Sequence, residues 1–193
     1  SVVPNSSGWT AKFNYSIDVN DPEGDNVTCV LFTSTDNQAT FANKGNSTVP
    51  GGRGRCSIIV NNFQPSEIGT DNYFKFQIHD AESQNTFNTS ALYGPNLTIA
   101  NATISITLGN QSQVNRSSGT SLLVIFINDT DNSSVAQNIN VTFWVTTNTI
   151  AFTNGVTNQT NLSGHANYHF NPTCSYSAAQ QIWMAGITDA NYN

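Results

Sequence analysis

From Trp9 to Val19 every second residue is apolar: Trp9, Ala11, Phe13, Tyr15, Ile17 and Val19, separated by Thr10, Lys12, Asn14, Ser16 and Asp18. Side chains of an extended chain point alternately to opposite faces, so this run predicts a strand with one dry and one wet side. Pro22 and Gly24 then impose a turn, and residues 27–32 read as the return strand. Residues 56–60 and 73–78 repeat the pattern, and Leu97 with Ile99 closes a first set of strands. A second set opens with Ile104, Ile106 and Leu108 and continues through 122–127, which is apolar on both faces as a central strand should be. Val141, Phe143 and Val145 follow, then 150–152, then Ala166, Tyr168 and Phe170, and finally 182–187. Helical periodicity is sustained nowhere. Short strands at this spacing, broken by Gly, Asn and Pro, predict an all-β chain of two immunoglobulin-like sandwiches in tandem, 1–100 and 101–193. The short connection near Ala100 predicts an end-to-end rod.

The 193 residues suffice for two cores, and 10% aromatic content supplies them. Charged residues are only 9%, and the net charge is −6. No basic patch exists, so nucleic acid is a poor partner. No run of apolar residues is long enough to span a bilayer as a helix. The opening Ser1-Val2-Val3-Pro4, without Met or an apolar leader, suggests a mature or excised product and argues against a type IV pilin.

Solubility comes instead from Asn, Ser and Thr, and their arrangement is informative. The triplet Asn-x-Ser/Thr starts at Asn5, Asn14, Asn26, Asn46, Asn88, Asn96, Asn101, Asn110, Asn115, Asn128, Asn132, Asn140, Asn158 and Asn161. Chance pairing would give roughly six such triplets, fewer than half of those present. Each can accept an N-glycan and must then face solvent, so the chain reads as extracellular and sugar-coated. Three Cys are present. In an oxidising compartment Cys29 and Cys56 are the expected disulfide, worth about 3.6 kcal/mol on the chain-entropy estimate. Cys174 is then left free or bonded to another chain.

The second half resembles the group-1 bacterial Ig-like domains of invasin type. The resemblance lies in Asn140-Val-Thr-Phe-Trp-Val145 and in Thr160-Asn-Leu-Ser-Gly-His-Ala-Asn-Tyr-His-Phe170, where Asn161 stands in place of the usual Asp. The stretches Pro172-Thr-Cys-Ser-Tyr176 and Trp183-Met-Ala-Gly-Ile-Thr-Asp189 look like repeats of archaeal surface proteins. The first half is similar to cadherin- or PKD-like repeats through Val19-Asn-Asp-Pro-Glu-Gly-Asp-Asn-Val27. These resemblances imply a cell-surface scaffold without implying a chemistry. Dense sequons without a eukaryotic disulfide framework favour an archaeal source.

An immunoglobulin-like sandwich ends with a strand beside the one that finishes near Thr188, and only five residues remain here. The second domain is therefore expected to expose an open edge. Either the strand lies further along a longer array, or a neighbouring subunit donates one, with the segment beginning at Ser1 as candidate donor. Donation of that kind joins subunits head to tail into a homopolymer.

One site candidate is acidic. Asp18, Asp21, Glu23 and Asp25 crowd one turn, and Asp80 and Glu82 follow the 73–78 strand. The two loops lie at the same end of an Ig-like sandwich, so Asp21, Glu23, Asp25, Asp80 and Glu82 are candidate Ca²⁺ ligands. The plain alternative is a hairpin turn with solvated carboxylates. His165 and His169 sit four residues apart on a predicted strand, about 13 Å, too far for one metal. Gly51-Gly-Arg-Gly-Arg55 reads as a flexible turn rather than an anion cradle. Trp9, Trp144, Trp183, Tyr15, Tyr73 and Tyr168 are candidates for a sugar-stacking platform, although core packing is the stronger reading. No motif of catalytic spacing is present, and the chain is not expected to be an enzyme. Two functions follow: a structural subunit of a surface filament such as a pilus, or of an S-layer, and alternatively an adhesin or carbohydrate-binding module.

Overall fold

The computed structural model describes residues 1–80, 82 and 85–193. They form two compact all-β units, Ser1–Ala100 and Asn101–Asn193. Among the described residues no helix is long and apolar enough to cross a membrane.

Unit 1 contains β1 (Val2–Val3), β2 (Ser6–Gly8), β3 (Phe13–Asn20), β4 (Val27–Ser34), β5 (Ala42–Val49), β6 (Arg53–Val60), β7 (Tyr73–Asp80), β8 (Thr86–Asn88), β9 (Leu92–Tyr93) and β10 (Asn96–Thr98). One sheet has the order β1-β3-β6; the other has β5-β4-β7-β8, with β9 also on β7. The antiparallel pairs β3–β6 and β4–β7 are the two centres of an immunoglobulin-like sandwich. The dry face of β3 sends Phe13 and Tyr15 inward against Leu31, Phe74 and Phe76. Edge-on ring pairs fix this packing, Phe13 with Phe63 at 5.5 Å and Tyr15 with Phe74 at 5.1 Å. Cys29 of β4 and Cys56 of β6 are bonded, joining the two sheets through the core.

Alternation alone extends this strand back to Trp9, but the chain first closes a turn. The Ala11 N–H donates to the Gly8 carbonyl at 3.0 Å, and pairing with β6 starts only at Phe13. The edge strand β5 has no counterpart in the sequence reading. Ala-Asn-Lys-Gly-Asn-Ser-Thr-Val buries only its last residue, so backbone bonds to β4 hold it and no hydrophobic pattern announces it.

Unit 2 contains β11 (Ala102–Leu108), β12 (Ser121–Asp129), β13 (Ser134–Val135), β14 (Asn140–Val145), β15 (Val156–Gln159), β16 (His165–Phe170) and β17 (Trp183–Ile187). In one sheet β12 is flanked by β11 and β16, with β13 at its far end; the other sheet has the order β15-β14-β17. Ile125, Ile127, Val141, Phe143, Ala166 and Phe170 form the centre of the core. Buried Asp129 accepts the N–H groups of Asp131 and Asn132 and, at 3.4 Å, the hydroxyl of Tyr192. Burial first, and then the Asp129 charge, push the Tyr192 hydroxyl well above the usual phenol range.

Two sequence expectations need correction here. Residues 150–152 are not a strand: Phe152 makes only an isolated bridge to Thr146. The Asn148 side chain captures the N–H groups of Ile150 and Ala151 at 3.2 and 2.8 Å, and Ile150 is left 81% exposed. This local turn outcompetes the ladder, and β15 takes the place beside β14. The segment beginning at Ser1 is not free to be donated. Its β1 pairs with β3, its β2 with β10, and the Ser1 amino group donates to the Ser16 carbonyl at 2.7 Å. Among the described residues β17 has β14 on one side and no strand on the other.

Candidate functional site

The acidic turn is built by three segments. Asp21 and Asp25 lie in the connection after β3, Asp80 ends β7, and Pro50-Gly51-Gly52 packs beneath. The register places Asp80 directly across from Val27, two residues beyond Asp25. Asp21 organises its own loop, accepting the N–H of Glu23 at 3.1 Å and that of Asp25 at 2.9 Å. Its own N–H donates to the Gly52 carbonyl at 2.8 Å. Gly52 has φ +65°, and a Cβ there would stand 2.5 Å from both the Asp21 Cβ and the Asp25 carbonyl oxygen. Only glycine permits that approach.

Carboxylate oxygens of Asp21, Asp25 and Asp80 thus lie within 4.8 Å of one another, all three side chains half-buried. Like charges at that spacing repel by about 1–3 kcal/mol per pair, depending on the local dielectric. A divalent cation removes the repulsion, and hard oxygens suit Ca²⁺, with water completing its six to eight ligands. Of the five sequence candidates, the fold gathers these three. Glu23 and Glu82 are exposed and stand outside the group. Glu82 contributes through its backbone, its N–H donating to Asp80 Oδ1 at 3.0 Å.

Asp18 faces elsewhere. Its carboxylate receives the Arg55 Nε and Nη2 groups at 2.8 and 3.1 Å across the β3–β6 ladder. The hydrogen bond from Arg55 holds its carboxyl below the usual range. Both partners are exposed, so the pair adds little to stability. Arg55 is thereby engaged with a carboxylate, and the glycines before it form a turn under the acidic loop. His165 and His169 alternate along β16 with buried Ala166 and Phe170, as the sequence spacing suggests. His165 rests against Phe126 with ring centroids 5.1 Å apart.

Of the aromatic candidates, Tyr15 is wholly buried in the core of unit 1. Trp183 pairs with Val145 on the inner face and stacks on Phe143. Trp144 lies on the outer face, resting over Gly155 and Gly186. Cys174 is an exposed free thiol with its sulfur 3.2 Å from the Ser117 hydroxyl.

The fold defines the class: a tandem immunoglobulin-like β-sandwich protein. No family model matches the chain, and no curated protein matches it. It is similar to a tetra-tandem repeat in the extending region of a large adhesion protein, at 18% identity and TM-score 0.48, over 100% of this chain and 45% of that one. It is also similar to the calcium binding domain CBD12 of CALX1.1, at 9% identity and TM-score 0.27, over 88% of this chain and 73% of that one. The chain spans less than half the length of the adhesion-protein chain.

Proposed function

We propose that this chain is an N-glycosylated structural module of an extracellular surface assembly, a filament or a surface layer, whose sandwiches bear load while sugars shield their faces. The observation that carries this reading is the placement of the acceptor asparagines. None of the fourteen is buried, although nearly two fifths of the chain is apolar. Several stand where a sandwich needs protection. Asn46, Asn88 and Asn158 lie on the edge strands β5, β8 and β15. Asn14 sits opposite exposed Ile59 on the outer face of β3–β6. Glycopeptide mass spectrometry of the native protein should find sugar on most of the fourteen. Bare asparagines throughout would sink the proposal.

Within this module, Asp21, Asp25 and Asp80 form a Ca²⁺ site that braces the β3–β4 turn against the end of β7. Extracellular modules bind Ca²⁺ with dissociation constants near 10⁻⁴ to 10⁻³ M. At about a hundredfold excess over the tighter value, the ion stabilises unit 1 by about 2.7 kcal/mol. Calorimetric titration should show one site, and Asp21→Asn should abolish both the heat and the melting shift. A wild-type chain giving neither heat nor shift removes the site.

A further inference from the structure

One face of unit 2 carries a tryptophan laid across its backbone. On β14, Val141, Phe143 and Val145 face the core. Asn140, Thr142 and Trp144 therefore follow one another along the outer face. The register sets their neighbours: Asn140 lies beside Gln159, Thr142 between Thr157 and Gly186, and Trp144 beside Met184.

Two glycines give the indole its place. A Cβ on Gly155 would stand 2.6 Å from Trp144 Nε1, and one on Gly186 3.3 Å from its Cζ3. The pyrrole edge thus lies at Gly155 and the six-membered ring at Gly186. Gly186 is the partner of Thr142, so the ring points back along β14 toward Asn140. Thr142 agrees: it belongs to the outer face, yet it is only 7% exposed. With its inner face on the sheet, the half-buried indole turns its other face outward.

Asn140 opens the sequon Asn140-Val-Thr142. Its Oδ1 accepts Gln159 Nε2 at 3.1 Å, on the β15 side. That bond holds the amide and turns Nδ2, the atom that carries a glycan, away from β15. The six-membered ring lies on the same side, toward β17. Among the described residues the Asn140 Nδ2 meets no acceptor. Those of Asn101 and Asn158 are instead held by Asp131 and Asn167. From the Asn140 row to the Gly186 row is about 7 Å, the span of two strand residues. The sugars nearest the protein cover that distance.

The chemistry of the face selects the occupant. No charge lies on β14, β15 or β17, so a neutral ligand suits it. Its exposed apolar surface is confined to Trp144 and Met184, far less than the few hundred Å² of a protein-binding patch. A flat indole offers apolar contact to the C–H face of a sugar, and Gln159 and Thr188 beside it offer polar groups to the sugar hydroxyls.

We infer that Trp144 seats the chain's own N-glycan, attached at Asn140. The proximal sugars lie back along β14 and stack on the six-membered ring, pinning the glycan flat against the β15-β14-β17 sheet. The inference rests on the glycosylated reading of the chain for the presence of sugar and adds where that sugar lies. The Thr142 hydroxyl that completes the sequon is enclosed by those of Thr157 and Thr188, at 2.8 and 3.1 Å. The sugar is therefore added before this face closes.

The test uses the native glycosylated chain. Glycopeptide mass spectrometry first reads occupancy at Asn140. In NMR spectra the sugar C–H protons over the indole should shift upfield by ring current. Trp144→Ala should abolish that shift and leave occupancy unchanged. Calorimetry supplies a double-mutant cycle. Asn140→Gln should lower the midpoint of unit 2 by about 4 °C or more when Trp144 is present, and by less than about 1 °C in Trp144→Ala. Equal effects in both backgrounds, or unshifted sugar protons in the unsubstituted chain, overturn the seat. If Trp144→Ala leaves unit 2 unfolded, the sugar-proton shifts decide alone. Shielding of Trp144 that rises with protein concentration assigns the face to a second copy and overturns it as well. A bare Asn140 beside occupied sequons removes the seat and leaves the surface reading standing. Bare asparagines throughout remove that reading and the seat with it.

Discussion

Replacing Cys29 and Cys56 together by alanine lowers the melting temperature of unit 1 by about 15–25 °C. The bond closes a loop with a sequence separation of 27, so its loss returns about 3.6 kcal/mol of chain entropy to the unfolded state. Unit 1 is small, and each kcal/mol moves the midpoint of such a domain by about 4–8 °C. The bond also joins β4 to β6, strands of opposite sheets, at two positions with no solvent exposure. Its removal therefore loosens the core as well as the unfolded chain. Differential scanning calorimetry checks this, because unit 2 contains neither cysteine and its transition should stay in place. A shift of unit 1 below about 5 °C would mean that the thiols are unbonded in the folded protein.

The sequence announces these strands where one face is dry and falls silent where neither is. The runs around Phe13–Ile17, Phe74–Phe76 and Val141–Val145 carry the core, so their period of two is selected by burial and reads directly. β5 and β15 are edges held by main-chain bonds, with Val49 the only buried residue between them, so burial imposes almost no pattern. At 150–152 the composition was right and the context wrong: Asn148 folds the backbone onto its own side chain. The clustering of Asp21, Asp25 and Asp80 was legible because the two loops share one end of the sandwich. Sequence proximity adds Glu23 and Glu82, which neighbour these aspartates but are exposed and stand outside the group. The part played by Gly52 was beyond reach, since a glycine required by the approach of Asp21 and Asp25 looks like any other turn glycine until the chain is folded.

Phe143→Ala costs unit 2 about 3–5 kcal/mol, the range for truncating a fully buried aromatic. Phe143 has no exposed surface. It joins three elements: its own strand β14, Tyr168 of β16 at 5.9 Å between centroids, and Trp183 of β17 at 6.4 Å and nearly parallel. Phe143 is one of the buried residues through which the two sheets of unit 2 pack, and no disulfide supports them. Against a stability of about 5–15 kcal/mol for a typical domain, the substitution brings unit 2 to the margin of folding. Urea denaturation followed by tryptophan fluorescence reads it directly, since Trp183 lies against the deleted ring. Ile106→Ala supplies the contrast: at 53% exposure it should cost less than about 1 kcal/mol in the isolated chain. A cost at Phe143 below about 1.5 kcal/mol, or one at Ile106 that equals it, would mean that the core of unit 2 is not centred between β14, β16 and β17.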